Sequence, residues 1–247
     1  MAKIIKKSDA LEQKYRRYLR LCIVGGVCAL LGFCVFALSM LSFGAMLFLP
    51  CAVLLLGGAV FAGVYSNKAI ICKRGIEGER ITAGLIQSLP DSYVGFQNLI
   101  VSYDGKRSEL DMVVVGPTGV WIIETKNMTG SVFGNYDSPM WTQRKEGRQG
   151  ASYTKTFYNP IKQVSTHTYR LAHLLRDNGF SVYVKDMVYF ANPETVIQLL
   201  GAPSKTPVFS ALANTPEELL RTITDASDVL AASESKAISA FLDGYTA

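Results

Sequence analysis

The chain has 247 residues, 49% of them hydrophobic and 18% charged, with a formal net charge of +5 and no repeat or low-complexity tract. Residues 1–20 carry +5 of that charge and residues 68–74 carry +3, which leaves −3 for residues 75–247. The basic balance therefore belongs to two short flanking segments and argues against a general nucleic-acid-coating surface.

In chain order, residues 1–20 read as a basic segment, with Lys3, Lys6, Lys7, Lys14, Arg16, Arg17 and Arg20 against Asp9 and Glu12. From Leu21 through Asn67 there is no Asp, Glu, Lys or Arg, a run of 47 residues. One bilayer crossing needs about 20 apolar residues, so this run predicts two helices, near 21–40 and 46–65, turning near Ser42-Phe43-Gly44. A cleaved signal peptide fits less well, because its apolar core is about 7 to 15 residues and a second apolar span follows any cut near Ala45. A soluble buried hairpin is disfavoured by the lack of a polar face on either helix. Lys68, Lys73 and Arg74 form a basic linker over 68–74. Both flanks being positive, the expectation is a multi-pass protein of the cell membrane, with its termini and the following domain cytoplasmic. Small residues at Gly25-Gly26 and Gly57-Gly58 allow homo-oligomerisation through the hairpin. Cys22, Cys28, Cys34 and Cys51 lie in the apolar run and Cys72 just beyond it, without metal-ligand spacing or a disulfide framework. Cys72 is read as unmodified, with acylation the alternative.

Residues 75–247 read as one α/β domain. A helix is expected from Gly75 to about Leu89, with Ile81, Leu85, Ile86 and Leu89 as its apolar stripe. Strands follow at 93–103 and on either side of Gly116-Pro117-Thr118-Gly119, then at 130–135 and around Trp141. The segment 146–153 reads as a mobile polar loop. Asn159-Pro160 starts a helix that Asn178-Gly179 stops. Strands near 182–190 and 207–212 and helices over 216–223 and 226–242 complete the chain. Trp121 and Trp141 read as core.

Two apolar runs around Gly116-Pro117-Thr118-Gly119 carry the chemistry. Strands have a side-chain period of two, so Glu109 and Asp111 share one face, as do Glu124 and Lys126. With an even loop, Asp111 falls opposite Glu124 and Glu109 opposite Lys126. Facing carboxylates repel unless a cation or proton lies between them, which invites a divalent metal. A three-residue loop with a bulge would change the parity and separate them, and the flanking residues, apolar on both faces, leave both closures open.

The ordered set Gly75-x-x-Gly78-Glu79, Glu109-Leu-Asp111, Gly119-Val-Trp-Ile-Ile-Glu124-Thr-Lys126-Asn127, Gly130, Trp141 and Asn159-Pro160-x-x-Gln163 resembles the nuclease-related domain called NERD, of the PD-(D/E)xK nuclease superfamily. The resemblance covers roughly 75–175. It implies a restriction-endonuclease-like mixed sheet flanked by helices, and a metal-dependent nuclease acting on DNA or RNA with Mg²⁺ or Mn²⁺. Matched by motif, Asp111 and Glu124 would hold the metal, Lys126 would stabilise the transition state, and Glu79 and Gln163 would complete the site. Arg144, Lys145, Arg148 and Lys155 are candidates for a nucleic-acid track. Readings without catalysis stand beside these. Glu124 and Lys126 also suit an edge-strand ion pair, Glu79 a helix-dipole contact, Gln163 a backbone contact near Asn159, and the loop cations a solvated surface. His167 lies on the Gln163 face as a packing or capping residue, and His173, six residues on, shares no metal pair with it. The rival function is a non-catalytic, membrane-tethered module that binds nucleic acid or protein on the same fold.

Overall fold

The computed structural model describes residues 1–42, 48–146, 152–213 and 216–246. Its elements in chain order are β1 (Lys3–Lys6), α1 (Ala10–Ser42), α2 (Phe48–Gln87), β2 (Val94–Tyr103), β3 (Lys106–Gly116), β4 (Gly119–Lys126), β5 (Gly130–Asn135), β6 (Met140–Glu146), β7 (Ser152–Tyr158), α3 (Pro160–Asp177), β8 (Val184–Phe190), β9 (Thr195–Leu200), β10 (Val208–Ser210), α4 (Pro216–Thr224) and α5 (Ala232–Gly244). Two units result, one of Asp9–Ile76 and one of Met1–Ser8 with Glu77–Ala247.

The first unit is a pair of antiparallel helices, each long and apolar enough to cross a membrane. Leu30, Leu56 and Val60 point outward, 61%, 64% and 68% exposed, as lipid-facing side chains would. Close approach of the backbones needs small residues. A methyl on Gly25 would stand 2.7 Å from Ala62 N, and one on Gly58 would stand 2.6 Å from Ala29 N. These two glycines serve the contact inside the hairpin, while Gly26 and Gly57 have open space at their Cα. The expected oligomer seam thus keeps only one glycine of each pair. Phe36 packs edge-on against Phe48 near one end of the pair, and Tyr18 against Tyr65 near the other, with Lys68 Nζ 4.9 Å from the Tyr65 ring. The turn expected at Ser42-Phe43-Gly44 falls largely outside the described residues.

The second unit is mixed α/β, with two sheets flanked by helices. One sheet runs β1-β2-β3-β4-β8-β10 and the other β7-β6-β5-β9. β2, β3 and β4 are antiparallel neighbours, and β8 joins β4 in parallel. The two faces of the larger sheet bury different cores. Ile86 and Leu89 near the end of α2 and Leu219 and Ile223 of α4 cover Met112, Val114, Trp121 and Ile123. Val164, Leu171 and Leu175 of α3 and Ile238 and Leu242 of α5 cover Val113, Val115, Val120 and Ile122. Because β3 and β4 are buried on both faces, their near-continuous apolar character follows.

Several expectations change. No helix starts at Gly75, because α2 continues unbroken from the apolar run to Gln87; nothing in 66–76 breaks a helix. The basic first segment is not uniform, since Lys3–Lys6 is a strand of the larger sheet. Of the loop expected over 146–153, residues 147–151 lie outside the described set; at its edges Glu146 ends β6 and Ser152 and Tyr153 begin β7. Strands β7 and β9 were not anticipated, and the last helix starts at Ala232 rather than near 226. Tyr153 to Phe157 combines aromatic and β-branched residues with Lys155, a composition that suits an exposed strand as well as a loop. Trp141 and Trp121 are buried as expected, and the Asn159 side chain caps α3 by accepting the Ile161 N–H.

Candidate active site

The β3–β4 hairpin closes through the two residues Pro117-Thr118, with Gly119 at φ +113°. Met112 pairs with Ile123, Val114 with Trp121 and Gly116 with Gly119, so the even closure is the one adopted. Continued one step, that register sets Asp111 opposite Glu124. The ladder itself stops at Met112 and Ile123, because the Asp111 carboxylate accepts the Thr125 N–H at 2.8 Å in place of a backbone carbonyl. Glu109 accordingly has no partner on β4, contrary to the expected pairing with Lys126.

Glu124 is 1% exposed. Its Oε1 accepts from Lys126 Nζ at 2.6 Å, and the same ammonium donates to Gln163 Oε1 at 3.0 Å. Its Oε2 faces His167 Nδ1 at 3.4 Å, and neither atom has a hydrogen bond within the chain. Burial on its own would raise the Glu124 pKa, but the Lys126 charge and the His167 contact outweigh it and hold the carboxyl below its ordinary value. Asp111 goes the other way. Burial, and then the negative charge of Glu124, push its pKa well up, against the pull of Lys126 and the Thr125 N–H. The two neighbouring carboxylates are thus driven apart in acidity, as close like charges are.

The helices deliver the remaining groups. On α2, a methyl at Gly78 would stand 2.6 Å from Asn127 Cβ, so the glycine lets the helix lie close over the end of β4. Thr82 Oγ1 donates to Gly78 O and meets Thr125 Oγ1 at 2.9 Å. The next residue after that glycine, Glu79, is 9% exposed, and its Oε2 accepts from Asn98 Nδ2 at 2.8 Å. Its charge reaches Asp111, adding to the rise there. On α3, Gln163 and His167 are one turn apart and both face β4.

The structure therefore gathers Asp111, Glu124, Lys126 and Gln163, with Glu79 beside them. The basic candidates are set apart on β6 and β7. Gln143 pairs with Lys155, and Lys145 with Tyr153, which puts Lys145 and Lys155 on one face and Arg144 on the other. Arg148 lies outside the described residues. Sequence reasoning undervalued two residues. His167 sits four after Gln163, the helical spacing that shares a face, and this was a usable signal. Asn98 is 1% exposed in the middle of β2 with φ +56°. A buried polar residue interrupting Phe96 to Val101, of a type that tolerates the left-handed region, was the available clue.

At this kink both strands exchange faces. Phe96 and Val113 share a core with Leu99, Leu110 and Val101, although strict alternation would separate the odd-numbered β2 residues from Phe96. Asn98 and Asp111 stand at the exchange, and the ladder skips them between the Gln97 and Met112 pair and the Leu99 and Leu110 pair.

The donor set suits a hard cation. It consists of two carboxylates and an amide oxygen, with the buried Glu124 Oε2 lacking a hydrogen bond. Among the described residues no group of three or more His, Cys, Asp and Glu side chains forms a metal cluster.

Over 99 residues, 38% of this chain and 43% of the other, the sequence is 31% identical to an uncharacterized protein of Bacillus anthracis. The match thus spans less than half of that relative. No solved structure matches the chain. The model of one family, the nuclease-related domain NERD, matches residues 74–191, a span that includes Glu79, Asn98, Asp111, Glu124, Lys126, Gln163 and His167. Residues 74–191 are a nuclease-related domain of the NERD family.

Proposed function

We propose that the protein is a membrane-anchored, metal-dependent nuclease that hydrolyses phosphodiester bonds of DNA or RNA on the cytoplasmic side. The observation that carries the reading is the buried Glu124 held by Lys126, itself fixed by Gln163, next to a second carboxylate driven toward the neutral form. A structural ion pair needs no such neighbour. Asp111 and Glu124 are the residues that would hold Mg²⁺ or Mn²⁺, which when bound supplies neutralisation of phosphoryl charge and a hydroxide at neutral pH.

The chain's own groups divide the remaining work. An ammonium has three donors, and Glu124 and Gln163 take two from Lys126, which leaves one for the attacking water or a phosphoryl oxygen. Because the cation is already oriented, it stabilises developing charge without reorganising. His167 lies against the Glu124 carboxylate from the other side, Nδ1 3.4 Å from Oε2. The Thr125 N–H orients Asp111 by a hydrogen bond, and Asn98 orients Glu79. Lys145 and Lys155 contribute to a track for the substrate backbone along the β6–β7 hairpin.

Supporting the anchor are the two apolar helices and the positive segments at both flanks. The lipid bilayer is then the standing partner and nucleic acid the transient one. The test is cleavage of single- and double-stranded DNA and RNA by the full chain in detergent micelles, with Mg²⁺, with Mn²⁺ and with EDTA. Divalent-dependent cleavage by the parent but not by a Glu124→Gln variant of equal folding is expected. A folded parent that cleaves none of the four substrates in either metal would sink the nuclease reading and favour the binding module.

A further inference from the structure

The opening residues of the chain are tied to the candidate site through one asparagine. β1 lies parallel to β2 at the edge of the larger sheet, with Lys3 beside Val94, Ile5 beside Phe96 and Lys6 beside Gln97. Backbone bonds extend the pairing beyond both ends. Lys7 N–H donates to Gln97 O at 2.8 Å, and Ala2 N–H reaches Leu89 O at 2.8 Å. Ala2 is 3% exposed. Ile4 and Ile5, pointing to opposite faces, each join one of the two cores. A segment merely lying on the surface would do none of this.

Asn98 follows directly on the paired stretch of β2. Its Nδ2 carries two donors, one to Glu79 Oε2 at 2.8 Å and one toward Ser8 O at 3.4 Å. The same amide therefore holds the carboxylate that α2 brings to the site and the last residue before the apolar unit. That unit begins at Asp9 and ends at Ile76, so the chain leaves the α/β unit after Ser8 and returns to it at Glu77. Without β1, the edge of β2 over Val94 to Gln97 would present unpaired backbone groups, which proteins normally cover.

We propose that residues 1–8 are an integral strand of the nuclease-related unit, coupled to Glu79 through Asn98. The unit is then complete only when both ends of the apolar hairpin lie on the same side of the membrane. Strand pairing imposes this orientation independently of the flanking charges. A chain whose first segment was carried across the bilayer would leave β2 without its edge partner and Asn98 without the Ser8 contact. The relevance of Glu79 to catalysis rests on the nuclease reading; the pairing and the coupling do not.

Two arms test this on the full chain in membranes, and neither reads cleavage. In the first, Cys22, Cys28, Cys34, Cys51 and Cys72 are replaced by Ser and a cysteine pair is introduced as Lys6→Cys with Gln97→Cys. Adjacent strands lie about 4.8 Å apart, within disulfide reach, whereas Lys3→Cys with Gln97→Cys adds about 10 Å along the strand. Mild oxidation should close the first pair within one chain at least tenfold faster than the second. Equal rates, or closure only between two copies, would overturn the pairing. In the second arm, hydrogen exchange of residues 2–8 is followed in Asn98→Gly, which keeps the left-handed backbone, and in Glu79→Ala. Both should speed exchange there at least threefold. Protection of residues 2–8 that neither substitution changes would overturn the coupling. A parent that fails to cleave nucleic acid leaves both arms readable.

Discussion

The two ends of the β3–β4 hairpin are built on opposite principles. Toward the turn, Val113, Val114, Val115, Val120, Trp121 and Ile122 are buried, apolar and fully laddered. Toward the open end, within one or two residues, come a carboxylate pushed up in pKa, another held down, a half-buried cation and a ladder that stops. The turn end supplies stability that the open end consumes. One short hairpin thus contains both the rigid support and the reactive groups, and no loop intervenes to blur the geometry.

Three substitutions would sharpen or break that contrast. The largest effect belongs to Lys126→Met, which removes the oriented cation and should lower cleavage by about 10³-fold, the scale for losing one preorganised charge stabiliser. It also strands the Glu124 charge, so the thermal transition should fall; a variant that cleaves within tenfold of the parent would remove Lys126 from the mechanism. Next comes Ile122→Ala at the turn end, expected to destabilise the unit by about 2–5 kcal/mol while leaving the cleavage rate per folded molecule unchanged. Denaturation curves paired with activity titrations check this, and a loss of intrinsic rate at full folding would show that the two ends are not separable.

The smallest effect has the opposite sign. Asp111→Asn removes a half-buried carboxylate next to Glu124, and in the absence of divalent metal it should raise stability by about 1 kcal/mol, or about 2–4 °C in melting temperature, while abolishing cleavage. Its pH dependence follows from the raised pKa. Between the ordinary carboxylate value and the raised one, the folded protein holds a proton that the unfolded chain has released, so parent stability falls as pH rises through that window. The stabilisation of Asp111→Asn should accordingly grow with pH and vanish in acid. Glu124, held below its ordinary value, makes the opposite contribution, present above that value and lost as pH falls through the lowered one. An Asn variant that melts below the parent at neutral pH would mean that Asp111 is a structural acceptor for Thr125 and little more.

What was legible in the sequence was local or periodic. The uncharged run, the Asn159-Pro160 helix start and the Asn178-Gly179 stop all rest on short-range rules, and the structure follows them, whereas the parity of the central hairpin stayed open until the fold chose the even closure. The Asp104-Gly105 dipeptide that joins β2 to β3 obeys the same kind of local rule, with φ of +50° and +67°. What was not legible depends on partners far away in the chain. β1 has only four residues, and its place is decided by Val94 to Gln97, about ninety residues on. β9 is recognisable only against β5. Of the site residues, Asp111, Glu124 and Lys126 stood out by strand spacing, while Glu79 and Gln163 came from the resemblance to the NERD motif. Asn98 required the fold, since its partners are Glu79 and Ser8. The facing of the basic candidates also needed the fold, because cations in a presumed loop carry no facing, and pairing of β6 with β7 sets Arg144 on the opposite face from Lys145 and Lys155.

The most direct test of the central claim is a Mn²⁺ titration of the full chain in micelles, followed by calorimetry and by the electron paramagnetic resonance of the free ion, beside Asp111→Asn and Glu124→Gln. Saturable binding in the parent that weakens at least tenfold in each variant is the predicted result. Equal Mn²⁺ binding in all three proteins, or none in a folded parent, would contradict a metal site at the open end of the hairpin.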